Sequence, residues 1–264
     1  MELGDRMKGN YENRTRYFLP RRTYTVVRID GKAFHTFTKG MNFPIDDSLV
    51  CSMDAAADLL CTTLSGAVFS YTQSDEISVL MTDFGNDNTD AYFDGNIQKI
   101  CSISASVATA AFNNRFQSEG SVHDFPFAPN RFRSSQDTFK IALFDSRVFT
   151  IADPIEVENY FIWRQQDASR NSLQMMARSL YSHKELEGKN CSNMHDMLMA
   201  KGINWNDLPI YQKRGRMVVK SPKDEGFVLD NNIPVFTQNR DFLRSQIPVI
   251  RRAQDSSSTG LSSG

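Results

Sequence analysis

The order of hydrophobic patterns in the first 150 residues is the feature that most constrains the fold. Runs of β-branched residues bounded by turn residues predict strands, and apolar residues spaced three and four apart predict helices. In chain order the sequence predicts a strand over 23–30, a helix over about 48–66, a hairpin of two strands over 67–71 and 77–81, a helix over about 96–116 and a strand over 139–144. This β, α, β, β, α, β order is that of the split ferredoxin-like unit, an antiparallel sheet with helices on one face. The expected fold class is therefore α+β.

Acidic residues end two of these strands. Asp30 and Gly31 close the first strand, and Asp75 and Glu76 lie in the turn of the hairpin, within the stretch TQSDE. In the split topology the first strand and the hairpin are neighbours, so these acids are expected to converge at one edge of the sheet. Gathered carboxylates suit Mg²⁺, which takes oxygen ligands together with waters and substrate phosphates. The alternative is ordinary turn chemistry, because Asp-Gly and Ser-Asp-Glu are both common in turns.

The remainder of the chain has a different pattern. Beyond Arg147 it is mainly helical, with helices expected over 156–180 and 184–202 and a hairpin over 213–229. We therefore expect three regions. These are a catalytic region at 1–150, a mainly helical C-terminal region at 151–252 that completes the same catalytic unit, and a disordered Ser/Gly-rich tail at 253–264.

Composition narrows the functional class. Thirty Lys and Arg against 31 Asp and Glu give a net charge of −1, so any binding of nucleic acid must use local patches. Arg131, Arg133 and Lys213 are candidates for such patches. The four cysteines lack zinc-finger spacing, which argues against a structural metal and against a disulfide framework. The first twenty residues are polar and no apolar run reaches the roughly 18 residues of a membrane span, so a cytoplasmic protein without membrane contact is expected.

Several motifs taken together resemble one enzyme family. The segments RIDGKAFHTFTKGMNFP, from Arg28, and SYTQSDEIS, from Ser70, resemble the tRNA-histidine guanylyltransferase family. That family includes bacterial and archaeal relatives, the 3′-5′ polymerases that repair tRNA 5′ ends. Lys99, FDSR at 144–147, WRQQD at 163–167 and LPIYQKRG at 208–215 follow in family order, so the resemblance covers most of residues 20–220.

The resemblance implies a polymerase-like palm that uses two Mg²⁺ ions, with ATP and GTP as substrates, to extend the 5′ end of tRNA. It implies that Asp30, Asp75 and the Gly31 carbonyl hold the metals. Glu76 would assist, either as a further metal ligand or by contacting the ligands. Contacts to the nucleotide are implied for Arg28, Lys32, Ala33, Phe34, His35, Lys39, Ser74 and Lys99. Contacts to tRNA, or support of the site, are implied for Arg131, Arg133, Arg147, Arg164, Gln165, Asp167, Asn171 and Lys213.

Alternatives remain for single residues and for the whole function. Arg28 lies on the Asp30 face of its strand and either contacts the nucleotide or pairs with an acid. His35 either contacts the nucleotide or has a structural role, and Trp163 is expected to pack. A nucleotide cyclase would share the palm but would carry a GGDEF-like hairpin instead of TQSDE. A non-catalytic RNA-binding module would not need both acids.

The sequence departs from the family pattern directly after WRQQD. Eukaryotic enzymes that add guanosine to tRNA-histidine carry a cysteine and then His-Ile-Asn there, whereas this chain has Ala168, Ser169, Arg170 and Asn171. We therefore expect template-dependent repair of tRNA 5′ ends, with guanosine addition in tRNA-histidine maturation as the alternative. The family commonly forms homotetramers, so a tetramer, or at least a dimer, is expected.

Overall fold

The computed structural model describes residues 1–86, 88–119 and 141–249. The strands in this part of the chain are β1 (Tyr24–Gly31), β2 (Ala67–Gln73), β3 (Glu76–Thr82), β4 (Phe144–Ile151), β5 (Arg216–Lys220) and β6 (Phe227–Asp230). The α-helices are α1 (Leu3–Asn10), α2 (Phe34–Phe37), α3 (Asp47–Thr63), α4 (Ile97–Glu119), α5 (Pro154–Leu180), α6 (His183–Leu186), α7 (Cys191–Ala200), α8 (Ile210–Arg214) and α9 (Arg240–Gln246). Among these helices, none is both long enough and apolar enough to cross a membrane.

The described strands form one antiparallel sheet in the order β4-β1-β3-β2-β5-β6. The first four follow the order of a split ferredoxin-like unit, in which β1 and β3 occupy the centre. The predicted α+β class, with an antiparallel sheet and a mainly helical C-terminal region, is therefore confirmed. β5 and β6 come from that C-terminal region and extend the sheet beyond β2.

Side chains on β1 alternate between two cores, one on each face of the sheet. Val27 and Ile29 pack with α3 and α4, whereas Val26 packs on the opposite face with Phe161 of α5. The prediction that helices cover one face of the sheet holds for α3 and α4. The other face is covered by α5. Arg28 shares the Val26 face, and so does Asp30, which places this acid on the α5 side of the sheet.

The bounds of two elements differ from the predictions. The strand predicted over 139–144 runs instead from Phe144 to Ile151, and residues 139 and 140 lie outside the described ranges. Asn113 of α4 holds the chain just before this strand, because its side-chain amide donates to the Ala142 carbonyl at 2.8 Å and accepts from the Ala142 N–H at 3.0 Å. The helix predicted over 184–202 is divided into α6 and α7, since Gly188 between them has a left-handed backbone with φ of 71°. The tail at 253–264 lies outside the described residues.

Candidate active site

The ends of β1 and β3 meet beside the hairpin turn that joins β2 to β3. Asp30 on β1 lies directly opposite Glu76 on β3, and the Gly31 N–H donates to the Asp75 carbonyl at 3.1 Å. A Cβ atom at position 31 would lie 2.3 Å from Phe34 Cδ2 and 2.9 Å from Asp75 Cβ. Glycine is therefore required for the turn to pack against β1. The acids converge as the strand order predicts, but at the end of two central strands and not along the lateral edge of the sheet.

Asp75 is a partly buried carboxylate that no described cation neutralises. It follows Ser74 in a two-residue turn, and Ser74 has a left-handed backbone with φ of 48°. Burial raises the pKa of Asp75 to about 6, and the carboxylates of Asp30 and Glu76 also raise it, against a hydrogen bond from the Ser74 hydroxyl. Within residues 1–86, 88–119 and 141–249, no arginine or lysine forms an ion pair with Asp75. This carboxylate is therefore available to a ligand.

Asp30 is partly compensated by two arginines. Its Oδ2 lies 3.4 Å from Nη2 of Arg147 and 3.8 Å from Nη2 of Arg28. Burial and the Glu76 carboxylate nevertheless raise the pKa of Asp30, with the arginines acting in the opposite direction. The two arginines lie beside one carboxylate oxygen without closing the site.

The chemistry of these donors fits a divalent cation. The described part of the chain contains no set of three or more His, Cys, Asp or Glu residues arranged around one point. The protein oxygens available here are therefore the carboxylates of Asp30 and Asp75 and the adjoining backbone of Gly31. Mg²⁺ commonly binds one or two carboxylates and completes its shell with water and phosphate oxygens. A cation bound there would also offset the burial that is the main cause of both raised pKa values, together with the smaller repulsion from neighbouring carboxylates.

Glu76 is in a different state, although it adjoins Asp75 in sequence. Its Oε1 accepts from Nη2 of Arg28, and its Oε2 accepts from Arg164 at 2.8 Å and from Gln73 at 3.1 Å. The carboxylate thus joins β1, β2 and β3 to α5 as an anchor. To bind a metal, Glu76 would have to release a buried arginine, at a cost of about 3–5 kcal/mol. Arg28 takes the second of its two expected roles, pairing with an acid.

A cleft of about 890 Å³ opens next to Asp75. It lies between the β2–β3 turn, the chain that follows β1, the start of α3, the middle of α5, and α8. Both Gly31 and Asp75 line it. Five of the residues expected to contact the nucleotide also line it, namely Ala33, Phe34, His35, Lys39 and Ser74.

Three other residues of that group lie elsewhere. Arg28 pairs with Glu76, and Lys32 is exposed, with its N–H bound to the Leu143 carbonyl at 2.8 Å. Lys99 is exposed in the first turn of α4, where its Nζ lies 5.6 Å from the centre of the Phe93 ring. Phe112, about 20 Å further along α4, is the residue that packs on Phe34 in the wall of the cleft. Lys99 itself does not line the cleft.

The expected tRNA contacts divide into an accessible and an inaccessible set. Gln165 is buried, where it donates to the Pro234 carbonyl at 2.9 Å and accepts from the Phe236 N–H at 2.8 Å. Lys213 is also buried, and its Nζ donates to the Asn206 carbonyl. Burial excludes a direct tRNA contact for both side chains and leaves the second expected role, support of the site, and it corrects the surface patch expected at Lys213. Arg147 is exposed, while Arg131 and Arg133 lie outside the described residues.

Asp167 accepts hydrogen bonds or ion pairs from three other polar side chains of α5 next to the cleft. It accepts from Nη2 of Arg164 at 3.3 Å, from Nη2 of Arg170, and from Nδ2 of Asn171 at 3.4 Å. Asn171 in turn lines the cleft. A chain of polar contacts therefore runs from Glu76 at the sheet to the cleft wall.

Sequence reasoning missed part of that wall. Gln174 and Arg178 line the cleft together with Asn171. Their spacing of three and four residues on a helix is a signal that could have identified a polar face next to the expected motif. Tyr211 and Gln212 of α8 line it as well, within the LPIYQKRG segment.

Known proteins that are similar to this chain in sequence or structure include tRNA(His) guanylyltransferases and Thg1-like proteins. A 27% identical protein of the mimivirus of Acanthamoeba polyphaga, uncharacterized protein R259, matches 89% of this chain and 84% of its own length. The tRNA(His) guanylyltransferase of Schizosaccharomyces pombe is 28% identical over 77% of this chain and 76% of its own. Among solved structures, a bacterial tRNA(His) guanylyltransferase (Thg1)-like protein in complex with ATP is 40% identical, with a TM-score of 0.82 over 94% of this chain and 100% of that one. A bacterial Thg1-like protein in complex with GTP is 38% identical, with a TM-score of 0.76 over 92% of this chain and 98% of that one.

The family model for tRNAHis guanylyltransferase (Thg1) matches residues 4–152, which contain β1 to β4 and both carboxylates of the candidate site. This match spans more than half of the chain. The chain therefore belongs to the tRNAHis guanylyltransferase family, whose members are nucleotidyltransferases.

Proposed function

We propose that this protein transfers a nucleotide to the 5′ end of a tRNA, with Mg²⁺ held by Asp30, Asp75 and the Gly31 backbone. The observation that carries the proposal is Asp75, a carboxylate unpaired among the described residues, at the mouth of a cleft large enough for a nucleoside triphosphate. Bacterial relatives are known in complexes with ATP and with GTP, which supports nucleotides as the occupants of this cleft.

Each part of the site has a task in this chemistry. Asp30 and Asp75 would hold Mg²⁺, which when bound would neutralise negative charge on the phosphate oxygens of the substrates. Lys39, Arg178 and Arg216 line the cleft, and Arg216 is paired with Asp54. Cations in the wall of the cleft would offset the negative charge of a bound triphosphate. The Glu76 anchor holds α5 against the sheet, and with it the Asn171 wall of the cleft.

Two substrates compete within this proposal. The names of the curated relatives, tRNA(His) guanylyltransferases, favour addition of guanosine to tRNA-histidine over the repair activity expected from the sequence. One observation keeps templated repair as the second candidate. Arg170 stands where the guanosine-adding enzymes have isoleucine, and it pairs with Asp167 beside the cleft instead of presenting an apolar side chain.

The test compares the two substrates directly. Purified protein, Mg²⁺ and labelled GTP are combined either with full-length tRNA-histidine or with a tRNA that lacks its first nucleotide, each carrying a 5′-triphosphate, so that pyrophosphate leaves as the new bond forms. Label transferred to both RNAs by the intact chain, and to neither by Asp75→Asn, is the result expected for a transferase. Faster transfer to full-length tRNA-histidine assigns maturation, whereas faster templated transfer to the truncated tRNA assigns repair. No transfer to either RNA would contradict the proposal.

Assembly is part of the same proposal. A homotetramer would let one tRNA contact more than one subunit, and the net charge of −1 does not oppose association. Light scattering at working concentration should give a tetramer or at least a dimer, and a monomer would count against it.

A further inference from the structure

Trp163 on α5 is half exposed, with 49% of its surface accessible, although packing was expected for it. It lies on the α5 side of the sheet, as Asp30 does, and it does not line the nucleotide cleft. We propose that Trp163 is a stacking platform for an unpaired nucleobase at the acceptor end of the RNA substrate. This inference rests on the proposed function and adds a binding site to it.

The ring of Trp163 is held rigidly from behind. The guanidinium carbon of Arg164 lies 3.5 Å from the ring centre, so one face of the indole is covered by a cation. Arg164 is itself buried, with 4% of its side chain exposed, and it is fixed by Glu76 at 2.8 Å and Asp167 at 3.3 Å. Tyr160 meets the indole at 65° with 5.9 Å between ring centres. A ring fixed on one face and at one edge offers its second face to a planar ligand at little cost in side-chain entropy.

The surroundings of Trp163 match RNA. Arg147 and Arg170 are 58% and 54% exposed. Arg147 uses Nη2 for Asp30 and Nε for Asp145, and Arg170 uses Nη2 for Asp167. Arginine has five N–H donors, so both side chains retain donors for phosphate oxygens. Arg164, which covers the Trp163 ring, shares Asp167 with Arg170, so the exposed ring belongs to a cationic cluster. Proteins bind unpaired bases of single-stranded nucleic acid with aromatic rings in such basic surroundings. The base belongs to RNA and not to the free nucleotide, because the nucleotide cleft has a separate lining.

Fluorescence can observe this contact directly, because the chain has two tryptophans. In a Trp205→Phe variant, Trp163 is the only tryptophan, and a base stacked on it will quench its emission. The probes are an acceptor-stem hairpin with unpaired nucleotides at its open end, the same hairpin with a blunt end, and GTP alone. Quenching by the first probe alone is the expected result. If GTP without RNA quenches the emission, the ring binds the nucleotide and the proposal is wrong. The proposal is also wrong if none of the three probes quenches the emission.

Affinity measurements with the same hairpins test the energetic role. Trp163→Ala should weaken binding of the unpaired hairpin by roughly 5- to 150-fold, the range for loss of one stacked base. Trp163→Phe should recover most of this loss, and Ile155→Ala, which removes another exposed apolar side chain of α5, should leave affinity within about twofold. Binding by Trp163→Ala within twofold of the intact chain would overturn the platform. Binding can be measured without turnover, so the two proposals can fail separately. If nucleotide transfer is normal but RNA does not quench Trp163, only the stacking platform is wrong. If RNA quenches Trp163 but no nucleotide is transferred, only the proposed function is wrong.

Discussion

Two acidic sites of the molecule have opposite electrostatic states. At the contact between α5 and α9, Glu158 is buried and is bound by Nη1 of Arg240 at 2.6 Å and by Nε of Arg244 at 2.8 Å. At the β2–β3 turn, Asp75 is partly buried beside two other carboxylates, and no described cation pairs with it. A buried carboxylate that serves stability is neutralised by the protein, whereas one kept for a ligand is left in a destabilising environment.

Glu76 shows that this difference does not follow from position in the sequence. It adjoins Asp75, yet two arginines and one glutamine bind it, as the arginines bind Glu158. The comparison therefore assigns Glu76 to the structural group and Asp75 to the functional group. Substitutions at these three acids should separate activity from stability.

The largest effect is expected for Asp75→Asn. Loss of one metal-binding carboxylate should lower nucleotide transfer by at least about 10³-fold, since few other protein ligands are available. The protein should not lose stability, because a pKa raised to about 6 corresponds to a penalty of roughly 3 kcal/mol for the ionised group at neutral pH. Transfer assays and thermal unfolding measure both quantities. Near-normal transfer would contradict a metal-binding role for Asp75, and a clear drop in melting temperature would contradict the claim that Asp75 does not stabilise the fold.

Glu76→Gln should reduce both quantities to an intermediate degree. Arg164 would keep a hydrogen-bond acceptor and its ion pair with Asp167, but it would lose the nearer of its two counter-charges, at a cost of about 2–4 kcal/mol. A displaced α5 should lower transfer by roughly 10- to 100-fold. The Mg²⁺ concentration for half-maximal rate should stay the same, since an anchor does not bind the metal. A tenfold rise in that concentration would place Glu76 among the ligands.

Glu158→Ala should lower stability while sparing activity. The substitution removes the partner of Arg240 and Arg244, but both arginines are half exposed and can turn to water, so about 2–3 kcal/mol is expected. Transfer measured well below the melting temperature should stay within about threefold. A loss of activity as large as that of Asp75→Asn would show that the two acidic sites do not differ in function.

Mg²⁺ should stabilise the folded protein more at high pH than at low pH, because the raised pKa of Asp75 determines when this carboxylate is charged. The folded-state pKa of about 6 lies above the ordinary 3.8, so folding stability falls as the pH rises between these values and this carboxylate ionises. A cation reverses that loss only when the group is charged. Mg²⁺ should therefore raise the melting temperature more at about pH 7.5 than at about pH 5. The difference should be absent in Asp75→Asn, and an equal shift at both pH values in the intact chain would contradict the assignment.

The smallest effect on stability is expected for Arg170→Ala. Arg164 and Asn171 still donate to Asp167 after this change, so the free energy of unfolding should change by less than about 1 kcal/mol. Affinity for RNA should fall about two- to fivefold, with a weaker dependence on salt. Titrations at two salt concentrations, with chemical denaturation alongside, would show this. A change of several kcal/mol would mean that the Asp167 cluster depends on Arg170.

The central strands and the pairing of Asp30 with the β2–β3 turn could be predicted, because both follow from local patterns. Runs of β-branched and apolar residues bounded by turn residues predicted the strands, and the order of elements made β1 and β3 neighbours. The partners of Glu76 could not be predicted in this way. Arg164 lies 88 residues away, and its contact exists only because α5 packs on the second face of the sheet.

The same limit explains why the accessibility of side chains on α5 and α8 could not be predicted. The WRQQD and LPIYQKRG motifs identified the correct segments, but a motif does not say which side of its helix is buried. Gln165 faces the chain around Pro234 and Phe236, and Lys213 faces the Asn206 carbonyl, so neither is exposed to a substrate. Those contacts depend on the path of segments distant in sequence.

The most direct test of the account is a crystal structure with Mn²⁺ and a non-hydrolysable GTP analogue, because anomalous scattering locates the metal without assumptions about its ligands. The account predicts a Mn²⁺ ion bound by the carboxylates of Asp30 and Asp75 and by the Gly31 carbonyl, with Glu76 still paired to Arg28 and Arg164. A Mn²⁺ ion ligated by Glu76 after release of its arginines, or no Mn²⁺ at Asp75, would contradict it.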